Sequence, residues 1–198
     1  GFGEAYSVGP EEAVVATVRY FESWLVGKDP RNIEGIWREL YASSRFPGGI
    51  VLMSAISGID MALWDLAGKI HGVPVWALLG GKCRERVRAY GHVSGATPSD
   101  IEQSAHDKVA RYGFTALKCF PLVPPGDIAP SWRQTARQVP ARMEAAIRGA
   151  GADVDLAVDA HAVLTNPAEA IELCDMLEPY HPLFLEEPLR PENLDSLA

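Results

Sequence analysis

The sequence has few cysteines: only Cys83, Cys119 and Cys174 occur in its 198 residues. An odd number of cysteines without the close spacing of metal ligands argues against a disulfide framework and against a zinc site. We interpret the three as small buried hydrophobic side chains in a protein from a reducing compartment, and we expect a cytoplasmic location.

The sequence also lacks an excess of positive charge. Eighteen Lys and Arg residues stand against 26 Asp and Glu residues, which gives a formal net charge of −8 at pH 7. A protein that binds nucleic acid must neutralise phosphates with a surplus of Lys and Arg. The composition therefore argues against a nucleic-acid partner, and an anionic substrate would need a local cation.

No apolar run in the sequence is long enough to predict a membrane span. The most apolar stretch, GGIVLMSAISGIDMALW, is interrupted by Asp60 and by small polar residues. It falls short of the roughly 20 apolar residues that a transmembrane helix requires. We therefore predict no transmembrane helix and no membrane partner.

Ahead of Arg86 the sequence is mostly helical in pattern. GFGEAYSV predicts the end of a strand, and helical spacing of apolar residues follows from Pro10 and again from Ile33 to Tyr41. A third helix is predicted around Ala55 to Ile70, where Ala55, Gly58 and Ala62 would let another element approach closely.

After Arg86 the pattern changes to strands that alternate with helices. The predicted strands are VRAYGHV, TALKCF, VDLAVDAHA and PLFLEEPL, and Thr97, Ser131 and Asn166 begin the helices between them. Pro140 should kink or restart the second helix. The alternation is typical of a (β/α)₈ barrel, but a doubly wound sheet has it too, so both folds stay open here.

Polar side chains stand near the carboxyl ends of the last three predicted strands. Because side chains alternate along a strand, Asp159 and His161 should share one face. Two carboxylates such as Asp159 and Glu186 can both stay ionised in a buried site if a cation lies between them, and hard oxygen ligands favour Mg²⁺. The alternative is that Asp159 caps the next helix and that Glu186 or Glu187 pairs with an arginine on the rim.

His161 and Lys118 also have two interpretations. His161 is either a hydrogen-bonded structural residue or, beside Mg²⁺, a general acid or base, because imidazole exchanges protons near neutral pH. Lys118 is either a solvated lysine or a fixed positive charge that faces an anionic substrate.

Two long motifs carry a resemblance to a known family. Residues 55–80, AISGIDMALWDLAGKIHGVPVWALLG, match a family helix signature that includes Asp60, Asp65, Lys69 and Pro74. VDAH and FLEEP stand at successive strand ends. The sequence resembles the mandelate racemase and muconate lactonizing enzyme group of the enolase superfamily.

The resemblance implies a fold and a metal site. It places residues 1–85 in an α+β capping domain, incomplete at its start, and residues 86–198 in the first half of a modified (β/α)₇β barrel that stops after the fourth barrel strand. It implies Mg²⁺ as cofactor, with Asp159 and Glu186 as its first two ligands. We therefore expect a third ligand and a second acid or base outside this chain, in a protein about twice as long, and a homo-oligomer such as a dimer or octamer.

Two departures from the group bear on the reaction. In LKCFP, Lys118 is retained but Phe120 stands where many racemases of the group carry a second, basic lysine. The loop AVLTNPAE is one residue longer than usual. A His two residues after the first ligand resembles the sugar-acid dehydratases that act on galactonate or mannonate, so the resemblance implies that His161 moves a proton during catalysis.

The implied reaction begins with abstraction of the proton alpha to a carboxylate, and Mg²⁺ stabilises the resulting enediolate. Loss of water would then turn an aldonate or aldarate into a 2-keto-3-deoxy acid. A racemase, epimerase or cycloisomerase of the same superfamily is the first alternative, and a non-catalytic descendant or fragment is the second. Arg45, Phe46 and Glu187 are candidate substrate contacts, although Arg45 and Phe46 also fit a solvated loop.

Overall fold

The chain divides into two units in the computed structural model, Gly1–Arg86 and Val87–Ala198. The structure describes residues 1–6, 9–122, 131–192 and 194–197. Each unit has a hydrophobic core of its own.

The regular secondary structure of the first unit is helical among its described residues. Its helices are α1 Glu11–Tyr20, α2 Glu22–Leu25, α3 Ile33–Ala42, α4 Ile50–His71 and α5 Val75–Leu78. The core forms where one apolar face of α4 meets α1 and α3, with Phe21 and Ile56 fully buried. Helix α4 begins after Gly49 and is followed by Gly72, whose φ of 67° is a left-handed conformation that glycine adopts without steric cost.

The opening segment is not a strand over residues 1–6. This part of the prediction is wrong, because a strand needs a neighbouring strand for its backbone groups and the described residues of this unit form none. The segment instead lies along α4, where the Phe2 N–H donates to Asp65 Oδ2 at 2.7 Å. A side chain at Gly3 would collide with the carbonyl of Gly58, so the small residues of α4 do allow a close approach, as expected.

Helix α4 is longer than the sequence suggested. Among the described residues it is one helix that is long and apolar enough to cross a membrane, by length and composition alone. The core helix of a globular domain meets the same criterion, and α4 packs one face against α1 and α3. The helix is therefore weak evidence for a membrane span.

The second unit alternates strands and helices. Its elements are β1 Gly91–Val93, α6 Pro98–Tyr112, β2 Ala116–Cys119, α7 Trp132–Ala136, α8 Val139–Ala150, β3 Asp155–Asp159, α9 Pro167–Leu177 and β4 Leu185–Glu186, with 3₁₀ turns at Glu178–Tyr180 and Leu194–Leu197. All four strands are shorter than predicted, because only the residues that pair with a neighbouring strand form the ladder.

The four strands form one parallel sheet in the order β1-β2-β3-β4. Each strand pairs with the next one along the chain, which is the order of a (β/α) barrel. A doubly wound sheet instead reverses its strand order at a switch point. The fold-class prediction of a partial barrel is confirmed, and the doubly wound alternative is wrong.

Sequence signals for the helix starts agree with the structure. Thr97 caps α6 through a reciprocal pair of hydrogen bonds with Asp100, and Asn166 accepts from the N–H of Ala168 at the start of α9. Pro140 lies in the first turn of α8, which begins afresh after α7 ends at Ala136. The predicted restart of this helix is confirmed.

Alternation along the strands separates the core from the site. Leu117, Cys119, Leu156 and Val158 point into the core that the sheet forms with α6, α8 and α9. Lys118 and Asp159 occupy the alternate positions and therefore lie on the opposite face. The same rule places one set of side chains in the core and the other at the candidate site.

The prediction for the cysteines holds for Cys119 alone. Cys119 is buried, whereas Cys83 and Cys174 are exposed. On α9 the buried residues are Ala170, Leu173 and Leu177, and Cys174 lies beyond the edge of this narrow stripe.

Candidate active site

The ammonium group of Lys118 lies between two carboxylates. Its Nζ is 2.8 Å from Asp159 Oδ2 and 2.6 Å from Glu186 Oε2. Asp159 ends β3, Glu186 ends β4, and the two residues are paired in register, while Lys118 comes from the carboxyl end of β2. Three neighbouring parallel strands thus bring one cation and two anions together at one edge of the sheet.

Two of the three ions of this cluster are withdrawn from water. The side chains of Lys118, Asp159 and Glu186 are 6%, 5% and 38% exposed. Burial opposes the charge of Lys118, but hydrogen bonds to both carboxylates outweigh it and raise the pKa above its usual range. Burial likewise opposes the charge of Asp159, yet hydrogen bonds from Lys118 and from the His161 N–H hold its pKa below its usual range.

His161 lies beside Asp159, but a turn and not strand alternation places it there. Strand β3 ends at Asp159, and His161 and Ala162 follow with φ of 50° and 51°, so strand alternation does not extend to His161. The His161 N–H donates to Asp159 Oδ1 at 2.9 Å, and its Nε2 lies 3.2 Å from Asp159 Oδ2. A turn, held by the carboxylate itself, brings the two side chains together.

Within the part of the chain that it describes, the structure does not show the alternative roles, in which Asp159 caps the next helix and Glu186 or Glu187 pairs with an arginine. Asn166 caps α9, while Asp159 holds the turn at His161. Glu186 pairs with Lys118. The side chain of Glu187 is exposed, and its contribution to the turn is a carbonyl that accepts from the Ala162 N–H at 3.0 Å.

Two aromatic rings border the cluster. The ring of Phe120 stacks on the imidazole of His161, with centroids 4.9 Å apart and planes 20° apart. Lys118 Nζ lies 5.3 Å from the centre of the Tyr90 ring, within the range of a cation–π contact. These rings form apolar walls beside the charged groups.

A cavity of about 280 Å³ opens beside the cluster, and its lining includes His92, Ser94, Lys118, Phe120, Asp159 and His161. Sequence reasoning missed His92. It pairs in register with Lys118, and its exposed side chain lines the same cavity. The signal was available, because His92 stands one residue before the end of a predicted strand.

Arg142 on α8 is a second residue that sequence reasoning missed. It is 3% exposed, and its Nη1 and Nη2 donate at 2.9 Å to the carbonyls of Ala96 and Gly95. Within the described residues its Nε has no hydrogen-bond partner. Burial lowers the pKa of this guanidinium, which also lines the cavity and holds the loop after β1.

The predicted contacts Arg45 and Phe46 lie in the first unit, in the loop between α3 and α4. Both side chains are exposed, and the guanidinium carbon of Arg45 is 5.9 Å from the centre of the Phe46 ring.

The carboxylates fit a cation, although they do not form a complete metal site. Among the described residues no group of three or more His, Cys, Asp or Glu side chains is arranged to hold a metal ion. The oxygens of Asp159 and Glu186 nevertheless converge on one positive charge, the ammonium of Lys118. Two hard oxygen donors around one cation suit Mg²⁺, which would need further ligands.

Both parts of the chain match families of known proteins. Residues 1–80 match the N-terminal domain of mandelate racemase / muconate lactonizing enzyme, and residues 100–198 match the family described as enolase C-terminal domain-like. The chain belongs to the enolase superfamily. The resemblance inferred from the two sequence motifs is confirmed.

Individual relatives share more than the fold. A D-galactonate dehydratase of Ralstonia nicotianae is 41% identical over 201 residues, which cover 100% of this chain and 51% of that protein. An enolase from Agrobacterium radiobacter with bound sodium and L-malate is 38% identical, with a TM-score of 0.83, and the match covers 98% of this chain and 49% of that one. An enolase from Pantoea ananatis with bound D-gluconate and magnesium is 34% identical, with a TM-score of 0.81, over 98% and 54%. The chain thus spans about half the length of the relatives it matches.

Proposed function

We propose that the protein containing this chain abstracts the proton alpha to a carboxylate and dehydrates a sugar acid. The substrate is an aldonate or aldarate, and the product is a 2-keto-3-deoxy acid. The observation that carries the proposal is the convergence of Asp159 and Glu186 on one cation, with His161 in contact with Asp159. The D-galactonate dehydratase relative, 41% identical, supports the choice of a sugar acid.

In this proposal Asp159 and Glu186 hold Mg²⁺, and the remaining ligands come from outside this chain. When bound, Mg²⁺ acts as a Lewis acid that stabilises the negative charge developing on the substrate carboxylate. The bound magnesium of the Pantoea ananatis enzyme supports the choice of metal. The donor set supports it as well, since both side chains offer carboxylate oxygen.

The other residues of the site bind the substrate or move its protons. His161 transfers a proton at the reacting carbon or at the departing hydroxyl, because imidazole can donate and accept protons near neutral pH. Lys118 supplies a fixed positive charge that offsets the carboxylates and attracts an anionic substrate. His92 is a candidate contact on the neighbouring strand, since its exposed side chain lines the same cavity.

The two units have separate roles in this proposal. Residues 1–85 form the capping domain, and residues 86–198 form the first half of the barrel. The exposed Arg45 and Phe46 contact the distal end of the substrate. Glu187, which follows β4, is a further substrate contact. We also propose a cytoplasmic homo-oligomer, a dimer or octamer, with no nucleic-acid or membrane partner.

The test uses the full-length protein and a panel of aldonates and aldarates, with Mg²⁺ or with a chelator. Formation of a 2-keto acid is followed by its reaction with semicarbazide. We expect at least one acid to be turned over in the presence of Mg²⁺ and none in the presence of the chelator. Glu186→Gln should lose turnover, and His161→Asn should lower kcat by roughly 10²- to 10⁴-fold. Asp155→Asn is the matched control, because it also removes a carboxylate, at the start of β3 where Asp155 pairs with the exposed Arg88.

A racemase, epimerase or cycloisomerase would give a different result. In D₂O it would incorporate deuterium into substrate or isomer without releasing a keto acid. That outcome would show that the reaction is an isomerisation and not a dehydration. Proton abstraction would remain part of the proposal. A protein that neither exchanges the alpha proton nor forms keto acid with any member of the panel would contradict the proposal as a whole.

A further inference from the structure

We propose that Phe120 is a positioning residue that holds the imidazole of His161 in a single orientation beside Asp159. The catalytic consequence rests on the proposed function, whereas the orientation itself does not. The relationship lies between the residue that follows β2 and the turn that follows β3.

The geometry makes Phe120 the anchored partner of the pair. Its ring is partly buried and packs against the core of the second unit. The side chain of His161 is 57% exposed, so solvent does little to restrict its rotation. The centroid distance of 4.9 Å and the angle of 20° describe a stacked pair, in which the fixed phenyl ring sets the plane of the mobile imidazole.

The polar contact of His161 is a weak restraint by comparison. Nε2 lies 3.2 Å from Asp159 Oδ2, and the same oxygen lies 2.8 Å from Lys118 Nζ. Any cation that binds Asp159 competes for this oxygen as well. The stack on Phe120 does not involve the carboxylate and therefore persists when the carboxylate has another partner.

The backbone of His161 adds to the need for a restraint. His161 and Ala162 both adopt a left-handed conformation, which is unfavourable for residues other than glycine. The turn is held by hydrogen bonds to Asp159 Oδ1 and to the Glu187 carbonyl, which fix the backbone but not the ring. Rotation about the side-chain bonds of His161 is limited chiefly by Phe120.

The first test measures the orientation in the full-length protein without substrate. The ring protons of His161 are assigned in the NMR spectrum by comparison with His161→Asn. A phenyl ring stacked on the imidazole shifts these resonances upfield, so we expect a downfield move in Phe120→Leu and a spectrum close to wild type in Phe120→Tyr. Phe114→Leu is the matched control, because Phe114 precedes the same strand at its other end and packs against the same core.

The second test measures the catalytic consequence. An aromatic pair of this kind biases an equilibrium by roughly two- to tenfold, so we expect Phe120→Leu to lower kcat by up to about tenfold. KM should change by less than about twofold, because the stack orients a proton-transferring group and does not bind substrate. Phe120→Tyr should restore most of kcat, and Phe114→Leu should lower thermal stability without lowering kcat.

The two tests separate this inference from the proposed function. Unchanged His161 resonances in Phe120→Leu would overturn the inference, whatever the enzyme turns over. A Phe120→Leu enzyme with full kcat, in a protein that His161→Asn inactivates, would overturn it while leaving the dehydration intact. If no sugar acid is turned over, the proposed function fails and the NMR result alone decides whether Phe120 stacks on His161.

Discussion

Asp159 contacts His161 through both of its carboxylate oxygens. Oδ1 accepts the backbone N–H at 2.9 Å, and Oδ2 lies 3.2 Å from the imidazole Nε2. One side chain therefore shapes the turn after β3 and also faces the group that we propose to transfer protons. Its two functions can be separated by substitution, because an amide keeps an acceptor oxygen and loses the charge.

Asp159→Asn should inactivate the full-length enzyme while keeping the turn. The amide oxygen can still accept the His161 N–H, but the loss of negative charge weakens Mg²⁺ binding and the contact with Lys118. Asp159→Ala loses the acceptor too and should be less stable than Asp159→Asn by about 1 kcal/mol. Calorimetric Mg²⁺ titration, keto-acid formation and urea denaturation measure the three effects. Equal stability of the two variants would show that Oδ1 does not hold the turn.

The second prediction concerns the stability of the protein at acidic pH. Burial raises the pKa of Asp159, but hydrogen bonds from Lys118 and from the His161 N–H outweigh it and hold the pKa below its usual range. A group with a depressed pKa in the folded state stabilises the protein fully above its unfolded pKa of about 3.9, and this stabilisation is lost as the pH falls through the folded pKa.

We therefore expect the free energy of unfolding to fall as the pH is lowered from about 5 towards 3. The decline should be smaller in Asp159→Asn, which has no carboxylate to protonate at this position. Urea denaturation of both proteins at a series of pH values provides the comparison. Parallel curves for the two proteins would mean that Asp159 does not contribute to acid sensitivity.

The features of the site that the sequence predicted are those set by residues close together in the chain. The strand alternation that separates Lys118 and Asp159 from the core side chains is a local property of the backbone, and it holds within β2 and β3. The same reasoning failed for His161, because β3 stops at Asp159 and the turn that follows is held both by Asp159 and by the Glu187 carbonyl, which accepts from the Ala162 N–H beside the neighbouring strand. A contact with a residue distant in the sequence leaves no local pattern.

Arg142 illustrates the same limit. Its helix was predicted from spacing and from Pro140, yet nothing in the sequence distinguishes Arg142 from the exposed Arg148 on the same helix. Its role depends on the loop carbonyls of Gly95 and Ala96, which only the packed structure brings within reach. The fold class was accessible from the sequence, whereas individual buried polar contacts were not.

The three cysteines should differ sharply in reactivity. Burial raises the pKa of the Cys119 thiol to about 12, and its Sγ lies 3.7 Å from the sulfur of Met143. Cys83 and Cys174 are exposed. A thiol-reactive reagent near neutral pH should therefore modify these two cysteines in the folded chain, and Cys119 after denaturation, because the thiolate is the reactive form. Peptide mapping by mass spectrometry identifies the sites, and rapid modification of native Cys119 would contradict its burial.

Arg142 should be one of the more sensitive positions for stability in the second unit. Arg142→Met leaves the carbonyls of Gly95 and Ala96 without their donors, and we expect a loss of about 2 kcal/mol in the free energy of unfolding. Arg142→Lys keeps the charge but lacks the planar fork that reaches both carbonyls, so it should restore only part of this loss.

Arg148→Met is the matched control for Arg142→Met. Arg148 lies on the same helix and donates at 3.0 Å to Glu102, but both side chains of that pair are substantially exposed. An exposed ion pair contributes about 0 to 1 kcal/mol, so the control should be close to wild type in urea denaturation. If Arg142→Met and Arg148→Met were equally stable, the two carbonyl contacts would contribute no more than an exposed ion pair. Arg142 would then not hold the loop that borders the cavity.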